Sequence, residues 1–248
     1  DSIGNLFNFS TGIWADAYHV NNVSRANDTD FTGMTGRIYP YASLDWRFPL
    51  ISQLGKASQT LEPIINVITS PNGGNPAEIP NEDSQQFEFD DTNLFDVNRF
   101  GGIDRVEGGT RVNYGLKWGL YGPTGLGLSL LVGQTYRFHT DDTFSEGSGL
   151  EDDLSDIVAT ARINPSNYLD LAYRTQIAKD GFSARRHQVQ ATAGVPLLRG
   201  SVGYIFFEEP ADSEFTGREE LSFSASSQVS RDWRINVSAV RDLAANEM

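Results

Sequence analysis

From Arg105 to Leu120 the chain alternates residue by residue. Val106, Gly108, Thr110, Val112, Tyr114, Leu116, Trp118 and Leu120 fall on one face of an extended strand, and Glu107, Gly109, Arg111, Asn113, Gly115, Lys117 and Gly119 on the other. Leu6–Val20 does the same, with Phe7, Phe9, Thr11, Ile13, Ala15 and Ala17 on one side and Trp14 and Tyr18 on the other. The same period predicts strands over Thr32–Phe48, Leu61–Thr69, Leu126–Phe138, Leu154–Ile163, Tyr168–Ile177, Arg186–Val195, Ser201–Phe207, Glu220–Ser230 and Trp233–Val240, about eleven strands in all. Pro63 removes a ladder donor from its strand, so a bulge or a local break in pairing is expected there.

The connections choose the architecture. Short turns at Gly55-Lys56, Gly122–Gly125, Asn164–Asn167, Pro196–Gly200 and Arg231-Asp232 alternate with longer segments, among them Asn21–Asp30, Ser70–Asp104, Thr140–Asp153 and Glu208–Gly217. That beat is expected of an antiparallel up-and-down meander with short periplasmic turns and long external loops, as in an outer-membrane barrel, and not of a Greek-key sandwich. Acidic residues crowd the long connections, as at Glu82, Asp83, Glu88, Asp90, Asp91 and Glu151–Asp153. The fold class is therefore all-β. An odd strand number leaves open edges, which inside a bilayer strand several kcal/mol per unsatisfied backbone group. The expectation is thus that residues 1–248 form part of a larger transmembrane β-barrel domain. On that reading Val112, Tyr114, Leu116 and Trp118 face lipid. Arg111, Asn113 and Lys117 face a wet lumen or a partner inside it, where substitution is tolerated better than on the lipid face.

Composition narrows the remaining choices. Hydrophobic residues make up 39% of the 248 and the mean hydropathy is −0.36, values that a barrel shares with soluble proteins because lumen-facing residues dilute lipid-facing ones. No stretch approaches the ~18 apolar residues of a membrane helix. No secretory signal opens the chain at Asp1, so it reads as a mature product or a fragment. The net charge of −14 argues against nucleic acid as a partner and against a polybasic membrane-surface binder. Cysteine is absent, which rules out disulfides and zinc–thiolate sites within the chain.

Catalytic chemistry finds little support. His19, His139 and His187 are scattered at strand ends, no serine or threonine nucleophile is placed beside one, and neither a metal nor a cofactor is expected. The unusual segment is Asn93–Arg105. It mixes apolar Leu94, Phe95, Phe100 and Ile103 with charged Asp96, Arg99, Asp104 and Arg105. Water gives such a loop no reason to present four large apolar groups together. It is predicted to fold inward over the barrel mouth, burying Phe95 and Phe100, with Arg99 or Arg105 paired to a carboxylate such as Asp104.

The series Leu61-Glu62-Pro63, Asn93-Leu94-Phe95, Asn98-Arg99-Phe100, Gly102-Ile103-Asp104-Arg105, Glu107-Gly108 and Tyr114-Gly115-Leu116 resembles the LptD family of outer-membrane lipopolysaccharide-assembly proteins. The motif loop that carries the resemblance includes Asn93, Leu94, Phe95, Arg99, Phe100, Gly102, Asp104 and Arg105. The resemblance implies a non-enzymatic barrel in the cell outer membrane that delivers lipopolysaccharide to the outer leaflet. It also implies an LptE-like lipoprotein plug and a periplasmic lipopolysaccharide-transport bridge as partners. The family commonly carries disulfides, and the absence of cysteine departs from that pattern. Periodicity alone fits two rivals as well: a general diffusion porin or other outer-membrane barrel, and a lipid-modifying barrel enzyme.

Overall fold

A computed structural model of the chain describes residues 1, 3–24, 30–84, 88–140, 143–195, 197–208 and 217–244. Its strands, in chain order, are β1 (Leu6–Ser24), β2 (Asp30–Arg47), β3 (Leu50–Leu54), β4 (Ala57–Thr69), β5 (Arg111–Tyr121), β6 (Gly127–Arg137), β7 (Ile157–Ser166), β8 (Leu169–Ile177), β9 (Ala184–Val195), β10 (Leu198–Phe207), β11 (Arg218–Gln228) and β12 (Arg234–Asp242). They form one 12-stranded sheet in the order β1-β2-β4 through β12, with β3 paired to β4 off that path. Every pairing is antiparallel. The sheet is an all-β meander and is not closed: among the described residues β1 pairs only with β2, and β12 only with β11.

The additional strand is β3, and Pro63 accounts for it. β4 pairs with β2 up to Arg47↔Ile64 and with β3 from Leu50↔Leu61 onward. Between these ladders the Phe48 N–H donates to the Pro63 carbonyl at 3.2 Å. The N–H and C=O of a strand residue point the same way, so the donor that Pro63 lacks would have faced the break at Phe48–Pro49. Its pairing with β5, at Leu116, continues undisturbed. What reads in sequence as one strand ending at Phe48 is a broken strand whose second half continues to Leu54.

Other boundaries differ from the sequence expectation too: β4 begins at Ala57 and not Leu61, β7 runs Ile157–Ser166 and not Leu154–Ile163, and β10 begins at Leu198 and not Ser201. β1 runs on to Ser24 through a register shift between Val20 and Val23, with Asn22 at φ 54°, a conformation that Asn tolerates better than most residues. The remainder of the predicted loop, residues 25–29, lies outside the described residues, as do Pro196 and most of Glu208–Gly217. β5 begins at Arg111, not Arg105, because Val106, Glu107, Gly108 and Gly109 are buried in a folded loop, where the Gly109 carbonyl accepts from the Ser70 N–H and the Gly109 N–H donates to the Pro71 carbonyl outside any strand.

From β5 onward the strands contain nine to twelve residues, the ~9–11 that a tilted strand needs to cross a bilayer. Their faces follow the sequence pattern. Ile65, Val67, Tyr114, Leu116, Leu130 and Val132 lie exposed on the face opposite the folded loops. No described helix is long and apolar enough to cross a membrane, which does not bear on strands. The turn Gly122–Gly125 and the turn at Asn167-Tyr168, shorter than the expected Asn164–Asn167 because β7 runs on to Ser166, adjoin at one end, where a Cβ on Gly125 would strike the Asn167 side chain. Residues 70–84, 88–110, 138–140 and 143–156 gather at the other end and fold onto the inward face.

Candidate functional site

The inward-folded loops build a cap whose core is apolar. Phe89, Leu94, Phe100, Phe144, Leu150 and Val158 form one buried cluster with Phe95 packed against it. Phe100 and Phe144 stack with ring centroids 4.9 Å apart. Burying side chains of this size contributes roughly 1.5–3 kcal/mol each, which gives a loop of this length a reason to hold one conformation. Two glycines make the seat. Gly115 and Gly133 face each other across β5 and β6. A Cβ on Gly115 would meet the Phe95 ring at 3.1 Å, and one on Gly133 would collide with Leu94. The bare backbone there lets the Leu94-Phe95 pair lie directly on the sheet.

Polar residues of the motif close the loop on itself. Asn93 accepts from the Asp90 N–H at 3.1 Å and donates to the Glu88 carbonyl at 2.6 Å. Asn98 accepts from the Glu107 N–H at 3.1 Å and donates to the Arg105 carbonyl at 3.2 Å. Asp83 and Asp104 clasp each other's backbone. The Asp83 carboxylate accepts from Ile103 N–H at 2.9 Å and Asp104 N–H at 3.0 Å, and the Asp104 carboxylate accepts from Glu82 N–H at 2.8 Å and Asp83 N–H at 3.1 Å. Gly102 is required beside them, because a Cβ there would run into the Asp83 carboxylate. Hydrogen bonds from the Ile103 and Asp104 amides hold the Asp83 carboxylate down at about 2.

Below this clasp sits a dry ionic cluster. Glu107 Oε1 lies 3.2 Å from Arg99 Nη1 and 3.3 Å from Arg111 Nε, and it also contacts Arg137 Nη2; all four side chains are essentially inaccessible. Burial pushes the Glu107 carboxyl up, but Arg111, Arg99 and Arg137 outweigh it and hold the group below its ordinary value. Burial drives Arg99 down to about 9 against the pull of Glu107, which still leaves it cationic at neutral pH. Arg99 also donates to Asn113 Oδ1 at 2.6 Å, Thr135 Oγ1 at 2.7 Å and the Leu94 carbonyl at 3.2 Å. One side chain thus ties the apolar plug to β5 and β6. Arg137 stacks over Phe144, its guanidinium 4.3 Å from the ring centroid.

The cap is fastened at both flanks too. On β2, Arg37 binds Asp16 at 2.7 Å, donates to the Asp104 carbonyl at 3.0 Å and contacts the Ile103 carbonyl. Tyr39 donates to the Pro71 carbonyl at 2.7 Å. On β8 and β9, Arg174 meets Asp91 at 3.0 Å and Arg186 meets Glu88 at 3.0 Å.

Several expected placements are corrected by this geometry. Phe100 is buried and Phe95 half-buried, but Ile103 is 66% exposed on the outer surface of the cap. The carboxylate that Arg99 finds is Glu107, not Asp104, whose Oδ2 accepts from the Glu82 and Asp83 backbone amides. Arg105 donates to the Ile79 carbonyl at 3.0 Å and to no carboxylate among its described bonds. Arg111 and Asn113 point inward as expected but are sealed from water, with Asn113 fully buried and bonded to Asn66 at 2.9 Å. Only Lys117, below the cap and opposite Glu62 in register, keeps an exposed inward position. Sequence reasoning missed Arg137, Arg37, Tyr39 and the seat at Gly133. Among the described residues no grouping of histidine, aspartate and glutamate is arranged to hold a metal ion. The geometry offers a folded cap and a network of fixed charges.

Compared with known proteins, residues 2–233 match the family model described as LptD: LPS transport system D. No curated protein matches the chain.

Proposed function

This chain belongs to the LptD family of LPS transport system D, and from that premise we propose that its meander is one section of a larger transmembrane barrel that passes lipopolysaccharide to the outer leaflet. The family is a component of lipopolysaccharide transport in the outer membrane, which sets the diffusion porin and the lipid-modifying enzyme aside as readings of this chain. The cap closes the external mouth of the barrel, Ser70–Asp104 and Thr140–Asp153 lie outside the cell, and Gly122–Gly125 and Asn164–Asn167 face the periplasm. A lipoprotein plug of the LptE kind sits beneath the cap, and a periplasmic bridge supplies the lipid. No bond of the lipid is made or broken. The polar saccharide travels over the inward faces while the acyl chains stay in apolar surroundings.

The observation that carries this reading is the cap itself: a loop with an apolar core, seated on two glycines and held by buried charge, at one end of strands of membrane-spanning length. Deleting Leu94–Phe100 tests it. The expected result is greater entry of large antibiotics and weaker co-purification of the lipoprotein plug; unchanged permeability, plug retention and surface lipopolysaccharide would refute it. Orientation is checked separately, because the chain contains no cysteine. A single cysteine at Ile103 should react with an impermeant reagent on intact cells, and one at Tyr168, exposed at the opposite end, should not.

A further inference from the structure

Arg111 and Arg137 are direct partners across β5 and β6, and both are buried. Like charges directly opposite on one face of a sheet repel, so the pair is stable only with an anion between them. Glu107 supplies it, yet fills the site poorly. A single oxygen, Oε1, serves Arg99, Arg111 and Arg137. Its other oxygen, Oε2, is buried with no hydrogen-bond partner, as are Arg137 Nε and Nη1 and Arg99 Nε. Three cations contact one carboxylate directly, and Asp96 adds a longer-range negative field at Arg99 and Arg111. Arg111 and Arg137 belong to the wall, at strand ends, whereas Glu107 and Arg99 belong to the cap. If the cap lifts, the neutralising carboxylate leaves and the two wall arginines stay behind.

We propose that Arg111 and Arg137 form an anion site on the barrel wall for a phosphate monoester of the transported glycolipid, and that the Glu107 carboxylate occupies this site while the cap is shut. This rests on the transport reading above. A phosphate monoester fits the wall pair better than the carboxylate does: it brings about −1.5 to −2 charges and three acceptor oxygens, and two guanidinium forks present several donors to it. Glycolipid phosphate and Glu107 therefore compete, so cargo arriving at the wall favours the open cap by its differential affinity for that state. The cap opens to cargo and closes behind it with no external energy source at this step.

The test uses the complete protein, purified in detergent, with nitroxides on cysteines at Ile103 in the cap and Phe182 on the β8–β9 turn, both exposed. Their separation is measured by pulsed dipolar spectroscopy. The probes are a glucosamine-disaccharide lipid carrying phosphate monoesters, the same lipid after phosphatase treatment, and inorganic phosphate. The phosphorylated lipid should populate a longer separation and the dephosphorylated lipid should not. Glu107→Gln should reach half-effect at a concentration lower by about tenfold or more, the scale of a lost charge-assisted contact. Arg137→Gln should abolish the difference between the two lipids. Equal responses to both lipids in the wild-type protein would overturn the anion site, whether or not either variant folds. Inorganic phosphate acting as well as the phosphorylated lipid would overturn the assignment to the cargo. Neither failure touches the transport reading, which is judged on surface lipopolysaccharide in cells.

Discussion

The two ends of the sheet treat their inward faces in opposite ways. Across β4, β5 and β6 the inward residues include Asn66, Arg111, Asn113, Thr135 and Arg137, all dry beneath the cap. Across β10, β11 and β12 they include Ser201, Ser224 and Ser238, in register with one another, and Ser222 and Asn236 on the same face, and every residue of β12 is exposed. The alternation of polar and apolar residues is the same in both regions. What differs is the kind of polar residue. Small hydroxyl and amide groups satisfy themselves in water, whereas long charged groups at a covered site must find fixed partners. Fully buried arginine and glutamate on an inward face, as at Arg111, Arg137 and Glu107, therefore mark where this sheet meets a folded loop.

The strongest way to break this comparison is to remove the carboxylate from the dry cluster. Glu107→Ala leaves Arg99, Arg111 and Arg137 without their counter-charge and should destabilise the cap by roughly 3–5 kcal/mol. Amide exchange over residues 94–107 reads this directly. Ser224→Ala, on the uncapped inward face, should stay within about 0.5 kcal/mol. Similar exchange in the two variants would mean that the cluster does not hold the cap.

The outward face provides the next contrast. Leu116→Arg should cost roughly 2–4 kcal/mol if it lies near the membrane midplane, measured by reversible unfolding into lipid vesicles. On the same strand Lys117→Gln should be nearly neutral, since that side chain is exposed below the cap. Asn113 is no longer the tolerant inward position expected of a wet lumen, because an arginine there would have no room and would break the bonds to Arg99 and Asn66. A smaller effect is expected at the seat. Gly133→Val places branched carbons where Leu94 lies, and overpacking of this kind costs about 1–3 kcal/mol. Exchange should rise more over residues 94–100 than along the β5–β6 ladder, where the same Cβ meets the Tyr114 carbonyl at 2.8 Å. Equal loss of protection in both would show that Gly133 serves the sheet and not the loop.

How much of this could be read beforehand follows from the range of the forces involved. Strand faces depend on a period of two within one segment, so Tyr114 and Leu116 outward and Arg111 and Asn113 inward were legible. The break at Phe48–Pro49 was half legible: Pro63 signalled disturbed pairing, but only the partner strand shows where the chain resumes. The motif loop was legible as an inward fold from its mixture of apolar and charged residues, though not in its pairings. Arg99 could reach several carboxylates, and the choice of Glu107 depends on where β5 begins. Arg137 had a usable signal, since counting back from the tight turn at Gly122–Gly125 sets it opposite Arg111. Arg37 and Tyr39 had none, because their partners lie in a loop far along the chain and no local pattern predicts where that loop lands.

The mildest test is acid. Asp83 is exposed, and its carboxylate is held at about 2 against an ordinary 3.8 by the Ile103 and Asp104 amides. A carboxyl group lowered on folding adds stability that is fully present above its unfolded value and is lost as pH falls through its folded value. The clasp should therefore be intact above about pH 4 and loosen progressively toward about pH 2. Glu107 is also held below its ordinary value, so its contribution fails in the same direction. The two are separated by Asp83→Asn, which removes the clasp's acid dependence and leaves that of the buried cluster. A fluorophore on a cysteine at Ile103 should report loosening on acidification in the wild-type protein, with a weaker or displaced acid transition in Asp83→Asn. A label on the uncapped β11–β12 turn, at Trp233, should show no transition in this window, because no carboxylate there is clasped by the cap. Identical acid profiles for Asp83→Asn and the wild type would mean that the Asp83–Asp104 clasp contributes nothing to holding the cap, and that its closure rests on Glu107 and the apolar core alone.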